Sequence, residues 1–181
     1  MSNPAAFGVL EVAWEMTLAG PAGEAPRTTS EATPHDLETL PFRPYQVTGV
    51  DAVSVHHMRV TRTLSRMTAP DAPRERVPTP TLITEYEVDN DRLLRLMQYV
   101  PPQGNSVVFR VAAGMTRQIE VGSAAGLYIQ GRWYADGGAT TAYWDPTGGA
   151  TLLWQLDERA LELYGEGFSA DELLQFAIDL A

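Results

Sequence analysis

The sequence predicts an α+β protein: an antiparallel, meandering β-sheet with a C-terminal helix and an N-terminal helix packed on it. Three observations carry that expectation. Short runs of alternating apolar and polar residues follow one another from Val53 to Tyr164, divided by turn-forming Gly, Asp and Pro. No helix-length pattern falls between them, so a parallel sheet built from strand–helix–strand crossovers is excluded. Two helix-start signals then bracket the run, Asn3-Pro4 near one end and Ser169-Ala170-Asp171-Glu172 near the other.

Taken in order, Asn3 as cap and Pro4 at the first helical position open a helix over residues 1–20 that Gly20-Pro21 ends. Within it Phe7, Leu10 and Trp14 share one face and Val9, Val12, Ala13 and Met16 the next. Only Gly8, Glu11 and Glu15 remain as a polar stripe, so the helix is expected to be buried on several sides. Residues 21–32, rich in Gly, Pro, Ser and Thr, read as a linker. Residues 33–181 read as one sheet domain. It begins with a short helix from Thr33 to Leu40, stopped by Pro41 and Pro44. Val53 to Leu64 alternates with a slip near His57-Met58 that suits a bulge. Thr68 to Thr81, carrying Pro70, Pro73, Pro78 and Pro80, reads as a loop.

Leu82 to Val88 and Leu93 to Tyr99 form a hairpin across Asp89-Asn90-Asp91. Ser106–Val111, Arg117–Val121 and Leu127–Tyr134 follow as strands. Ala139–Trp144 and Leu152–Leu156 are expected to pair around Asp145-Pro146-Thr147-Gly148-Gly149, and Ala160–Tyr164 to return across Asp157-Glu158-Arg159. The final helix presents Leu173, Leu174, Phe176, Ala177 and Leu180 as its apolar face.

Composition narrows the chemistry. A chain of 181 residues with 44% hydrophobic and 20% charged residues is globular rather than disordered. Its 23 acidic against 13 basic residues, net −10, argue against a nucleic-acid partner or an anionic membrane surface. All 13 bases are arginine, which removes Schiff-base, P-loop-lysine and lysine-base chemistry. The absence of cysteine removes thiol nucleophiles, disulfides and thiolate metal sites. The N-terminus has no basic n-region of a secretory signal, and no run approaches the ~20 apolar residues of a membrane helix, so the chain reads as soluble.

Candidate chemistry is sparse. His56 and His57 are adjacent, and on a strand adjacent side chains point to opposite faces, while His35 lies in another element; no metal and no cofactor is expected. Gly122-Ser123-Ala124-Ala125-Gly126 lacks the spacing of a nucleophile elbow and reads as a hairpin turn. Glu85 and Glu87 share one strand face and read as solvated, and Asp136, Asp145 and Asp157 as turn residues. No catalytic residue is assigned. The aromatic side chains Tyr128, Trp133, Tyr143 and Trp144 crowd the last strands, some necessarily pointing away from the core, and are candidates for an apolar ligand or peptide groove.

The segments Gly126–Trp133, Leu152-Leu153-Trp154-Gln155-Leu156 and Leu161–Ala177 together resemble an uncharacterised C-terminal domain of bacterial membrane-anchored proteins, the anti-sigma-factor-like and lipoprotein-like proteins. The likeness runs from Thr33 to the C-terminus and is most specific from Leu127 on. It implies Trp154 packed beneath Leu173, Leu174 and Ala177, and a location outside the cytoplasm in the cell envelope, joined to the membrane only through upstream sequence. It implies a non-enzymatic sensing or protein-interaction domain, regulating an anti-sigma-type membrane protein through a protein partner. The alternative is a carrier or binder of a small apolar ligand or lipid on a curved β-sheet.

Overall fold

In a computed structural model of the chain the described residues are 9–12, 15–17, 38, 40, 42–68, 73–89, 91–137, 139 and 141–180. They form ten strands and one helix: β1 (Val9–Val12), β2 (Glu15–Thr17), β3 (Ala52–Arg66), β4 (Glu75–Val88), β5 (Arg92–Tyr99), β6 (Asn105–Val111), β7 (Thr116–Val121), β8 (Ala124–Tyr134), β9 (Thr141–Leu156), β10 (Arg159–Gly165) and α1 (Ala170–Ile178). One open sheet runs in the order β1-β6-β3-β4-β5-β10-β9-β8-β7, with β2 added on β9. Every pairing is antiparallel except β1 on β6. The sheet is therefore not one meander. β3–β4–β5 and β7–β8–β9–β10 are two meanders sharing the β5–β10 seam, and β6 returns to the far end of β3.

Several expectations are corrected. The N-terminal helix is not supported: the described residues of that stretch are strands, Val9–Val12 along β6 and Glu15–Thr17 along Thr141–Tyr143 of β9. An apolar run with so narrow a polar stripe has no strong 3.6-residue period, and sheet edges that offer backbone partners decide between helix and strand. The linker at 21–32 and most of the helix at Thr33–Leu40 lie outside the described residues.

The loop expected through Thr81 is strand from Glu75 onward, with Pro78 and Pro80 inside it. β5 pairs only with Leu82–Val88, so Glu75–Thr81 has β3 on one side and no strand on the other among the described residues. Pro78 and Pro80 have the same parity, so both lack their N–H on one side of the strand. That is where a proline costs no ladder bond. Thr141–Leu156 is one strand rather than two, its irregularity taken up opposite Gly131 between Gln130 and Arg132. Gly131 has φ +93°, and a Cβ there would stand 2.5 Å from the Asp145 carbonyl oxygen, which is why glycine occupies the irregularity. In β3 the register shifts at Ala52/Ser54, not at His57-Met58.

Strand parity divides the sheet into two faces. One carries Tyr86, Val88, Leu94, Leu96, Ala150, Leu152, Trp154, Leu161 and Leu163, and α1 lies on it through Leu173 and Ala177. Trp154 sits within this cluster as expected. Ser169 and Glu172 form the reciprocal capping box, so two free N–H groups at the start of α1 are satisfied. The segment preceding β3 also docks here. Gln98, fully buried, accepts from the Tyr45 N–H at 2.8 Å and donates to the Tyr45 carbonyl at 2.8 Å.

The opposite face has no helix among the described residues. Its cover is β6 with the residue that follows it: Val107 packs with Leu64, Tyr99 and Ala160, and Val111 and Ala112 pack with Ile129, Trp144 and Leu153. In the sheet order β6 stands next to β3, yet its side chains meet those of β5, β10, β9 and β8. Only a sheet that curls back on itself achieves this. No helix among the described residues is long and apolar enough to cross a membrane.

Candidate functional site

Charge is uncommon at inward strand positions, and the helix-free face has two. Arg62 in β3 and Glu162 in β10 are 6% and 7% exposed, from strands three places apart in the sheet. Arg62 spans the two strands between them. Its Nη1 donates to Thr81 Oγ1 of β4 at 3.0 Å, its guanidinium carbon lies 3.4 Å from the Tyr99 ring centroid on β5, and its Nη2 meets Glu162 Oε1 at 3.2 Å. The Thr81 hydroxyl in turn donates to the Thr79 carbonyl at 2.9 Å. Stacking on an aromatic face and pairing with a carboxylate are both suited to a guanidinium, and desolvation strengthens both.

Tyr99 is fully buried, and its hydroxyl lies near both Arg62 and Glu162 without a well-aligned hydrogen bond to either. The guanidinium lies over the ring. Burial holds the phenol well above its ordinary ionisation range, the Glu162 charge pushes the same way, and Arg62 opposes. The hydroxyl is therefore a neutral donor. A second polar atom on this face, His56 Nδ1, is likewise buried without a partner. A buried polar atom left unpaired costs about 1–3 kcal/mol, so two on one face call for an explanation.

Burial decreases along each strand away from β6. On β5 it runs from Tyr99 through half-buried Met97 to exposed Arg95 and Leu93, and on β4 from Thr81 through Ile83 and Glu85 to exposed Glu87. On β3 the half-buried Val60, Met58, His56 and Ser54 succeed Arg62. The face thus has a polar floor of Arg62, Thr81, Tyr99 and Glu162, a middle zone of Met58, Ile83 and Met97, and a polar rim. At the rim Glu85 accepts from Ser54 Oγ at 2.8 Å and from Arg95 Nε and Nη2 at 2.9 and 2.7 Å. Burial alone pushes the Glu85 carboxyl up. The bonds from Ser54 and Arg95, with the charges of Arg95 and His56, outweigh it and hold the group below its ordinary value.

The four aromatic residues singled out in the sequence do not share one surface. Trp133 and Trp144 are brought together edge to face, ring centroids 5.3 Å apart, and their indole N–H groups donate to the Arg110 and Gln130 carbonyls at 3.0 and 3.2 Å. Trp144 belongs to the cluster under β6. Tyr128 packs against the helix-side core, its hydroxyl 2.5 Å from Gln130 Oε1, while Tyr143 is 58% exposed. His56 and His57 fall on opposite faces, as adjacent strand residues must, and His35 lies outside the described residues. Among the described residues no group of three His, Cys, Asp or Glu is placed to hold a metal ion. Gly122-Ser123 is the β7–β8 turn, with Gly122 at φ +60°.

Sequence reading missed Arg62, Thr81, Tyr99 and Glu162. A signal was present for Arg62, whose parity matches Met58, Val60 and Leu64 and so places a charge on an otherwise apolar face. Nothing local connects it to Glu162, one hundred residues away. No family model matches the chain, and no curated protein or solved structure matches it either.

Proposed function

We propose that the protein is a non-enzymatic binding domain whose site is the helix-free face of the curled sheet. Its ligand is a small amphipathic molecule with an apolar body and a hydrogen-bond acceptor such as an ester or amide carbonyl. The observation that carries this reading is the Tyr99 hydroxyl, a buried neutral donor without a well-aligned acceptor beside an already neutralised ion pair. The Arg62 charge is matched by Glu162, so the floor favours an uncharged acceptor over an anion. Met58, Ile83 and Met97 offer apolar contact above it, and methionine adapts to ligand shape. This is the apolar-carrier alternative of the sequence reading with a polar anchor added.

The cell-envelope setting, and the coupling to an anti-sigma-type protein partner, rest on the sequence resemblance alone. Both are compatible with a sensor whose ligand sits on one face and whose partner binds elsewhere.

The test is competition between an environment-sensitive naphthalene dye and monolauroyl glycerol, an uncharged ester with a short acyl chain. Displacement by the ester, little displacement by dodecane, and about tenfold weaker ester binding in Tyr99→Phe with unchanged dye binding are expected; one neutral hydrogen bond carries that factor. Equal competition by ester and alkane, or equal ester affinity in Tyr99→Phe, would refute the assignment.

A further inference from the structure

A separate feature of β3 points to a protein-docking edge that borders the ligand face at Met58. β6 pairs only with Leu64–Arg66, so the outer side of β3 from Ala52 to Thr63 has no strand partner among the described residues. Long unpaired edges are templates for another strand, and proteins usually blunt them with proline, charge or cover. The two-stranded ribbon made by β3 and the first half of β4 is treated unequally. Its β4 side carries Pro78 and Pro80, whereas β3 contains no proline at all.

The charge on this ribbon is also unlike that of the whole. The chain has 23 acidic residues and a net charge of −10, yet none of the acids lies in the fifteen residues of β3, which hold three arginines and both adjacent histidines. Arg59 is exposed on the helix-side face of the strand, and Arg76 is exposed on the same face of β4, opposite Thr63. Neither has an ion-pair partner among the described residues. On the other face of β3 stand the half-buried Met58 and Val60.

We infer that the outer edge of β3 between Ser54 and Thr63 receives an extended protein segment that alternates acidic and apolar residues. Its backbone continues the sheet, its acidic side chains meet Arg59 and Arg76, and its apolar side chains lie beside Met58 and Val60. The alternation follows from strand geometry, because successive side chains of an added strand fall on opposite faces. Two free arginines on an acidic protein are too few for a nucleic-acid backbone. A second copy of β3 is disfavoured as occupant, since antiparallel self-pairing sets arginine and histidine against each other.

The experiment measures fluorescence anisotropy of a labelled peptide of alternating Glu and Val, long enough to span Ser54–Thr63, added to the full chain. Saturable binding is expected, weakened by salt and weakened about tenfold by Arg59→Glu with Arg76→Glu. It is lost when two prolines replace central peptide residues, and circular dichroism melts should show the double variant folded like the parent. Absence of binding, equal binding of the Lys–Val counterpart, or unchanged affinity in the double variant would overturn the inference. So would sedimentation showing that two chains pair and exclude the peptide. The ligand competition above uses neither arginine, so either proposal can fail without the other.

Discussion

Glu162 lies between two buried leucines in β10, and its charge is tolerated there because Arg62 reaches it across β4 and β5. Removing one partner strands the other. Glu162→Ala is expected to destabilise the fold by about 3–5 kcal/mol, whereas Arg62→Met combined with Glu162→Leu should come close to parental stability. Chemical denaturation of the three variants checks this, and a double variant as unstable as the single one contradicts it. Tyr99→Phe removes a hydroxyl without a well-aligned partner, so its unliganded stability should equal or exceed the parent's by up to about 1 kcal/mol. A clear loss would mean that the hydroxyl is bonded within the protein. Parity made Arg62's direction legible in the sequence, since it falls in step with Met58, Val60 and Leu64. Which acid it meets was not legible, because that depends on β10 lying beside β5, a long-range pairing no local pattern encodes.

At the scale of elements, α1 was the clearest feature in advance. Its capping box is a local pattern, and it forms as read, with Arg92 joining Glu172 at 2.8 Å. The bond from the Ser169 N–H, then those from Arg92 and the Ser169 hydroxyl, hold the Glu172 carboxyl at about 2 against an ordinary 4.5. A lowered acid contributes stability that is fully present above its unfolded value and disappears as pH falls through its folded one. The helix start should therefore weaken between about pH 4.5 and about pH 2. Carbon-13 NMR of the carboxyl should follow that titration, and a midpoint near the ordinary glutamate value would contradict the geometry. Ser169→Ala should cost about 1 kcal/mol. Leu173 is fully buried beneath the helix, so Leu173→Ala should cost about 2–5 kcal/mol, and truncation after Gly167 should leave no cooperatively folding sheet. The strands from Leu82 to Val111 and the hairpin turns were equally legible from alternation and turn residues. Pro78 and Pro80 misdirected the reading of β4, because proline forbids a strand only where its missing N–H is needed, and sequence alone does not say which side of a strand is unpaired.

At the scale of the molecule, alternation revealed the antiparallel sheet but not its path. The return of β6 to β3 and its lie across β10, β9 and β8 are set by contacts among Val107, Val111, Tyr99, Leu153 and Trp144, residues from three strands far apart in sequence. That curl is what separates a helix-packed face from a face with a polar floor and an open rim. The same ambiguity governed the N-terminal run, where Val9–Val12 finds β6 and Glu15–Thr17 finds β9. The central claim is that the two faces divide the work, one holding the helix and the other a ligand. Methyl NMR of the full chain titrated with monolauroyl glycerol tests it most directly. The account predicts shifts confined to Met58, Ile83, Met97 and their neighbours, with Leu161, Leu163 and Leu173 unmoved; shifts centred on those leucines, or on Ile129 and Ala142 beside the aromatic strands, would contradict it.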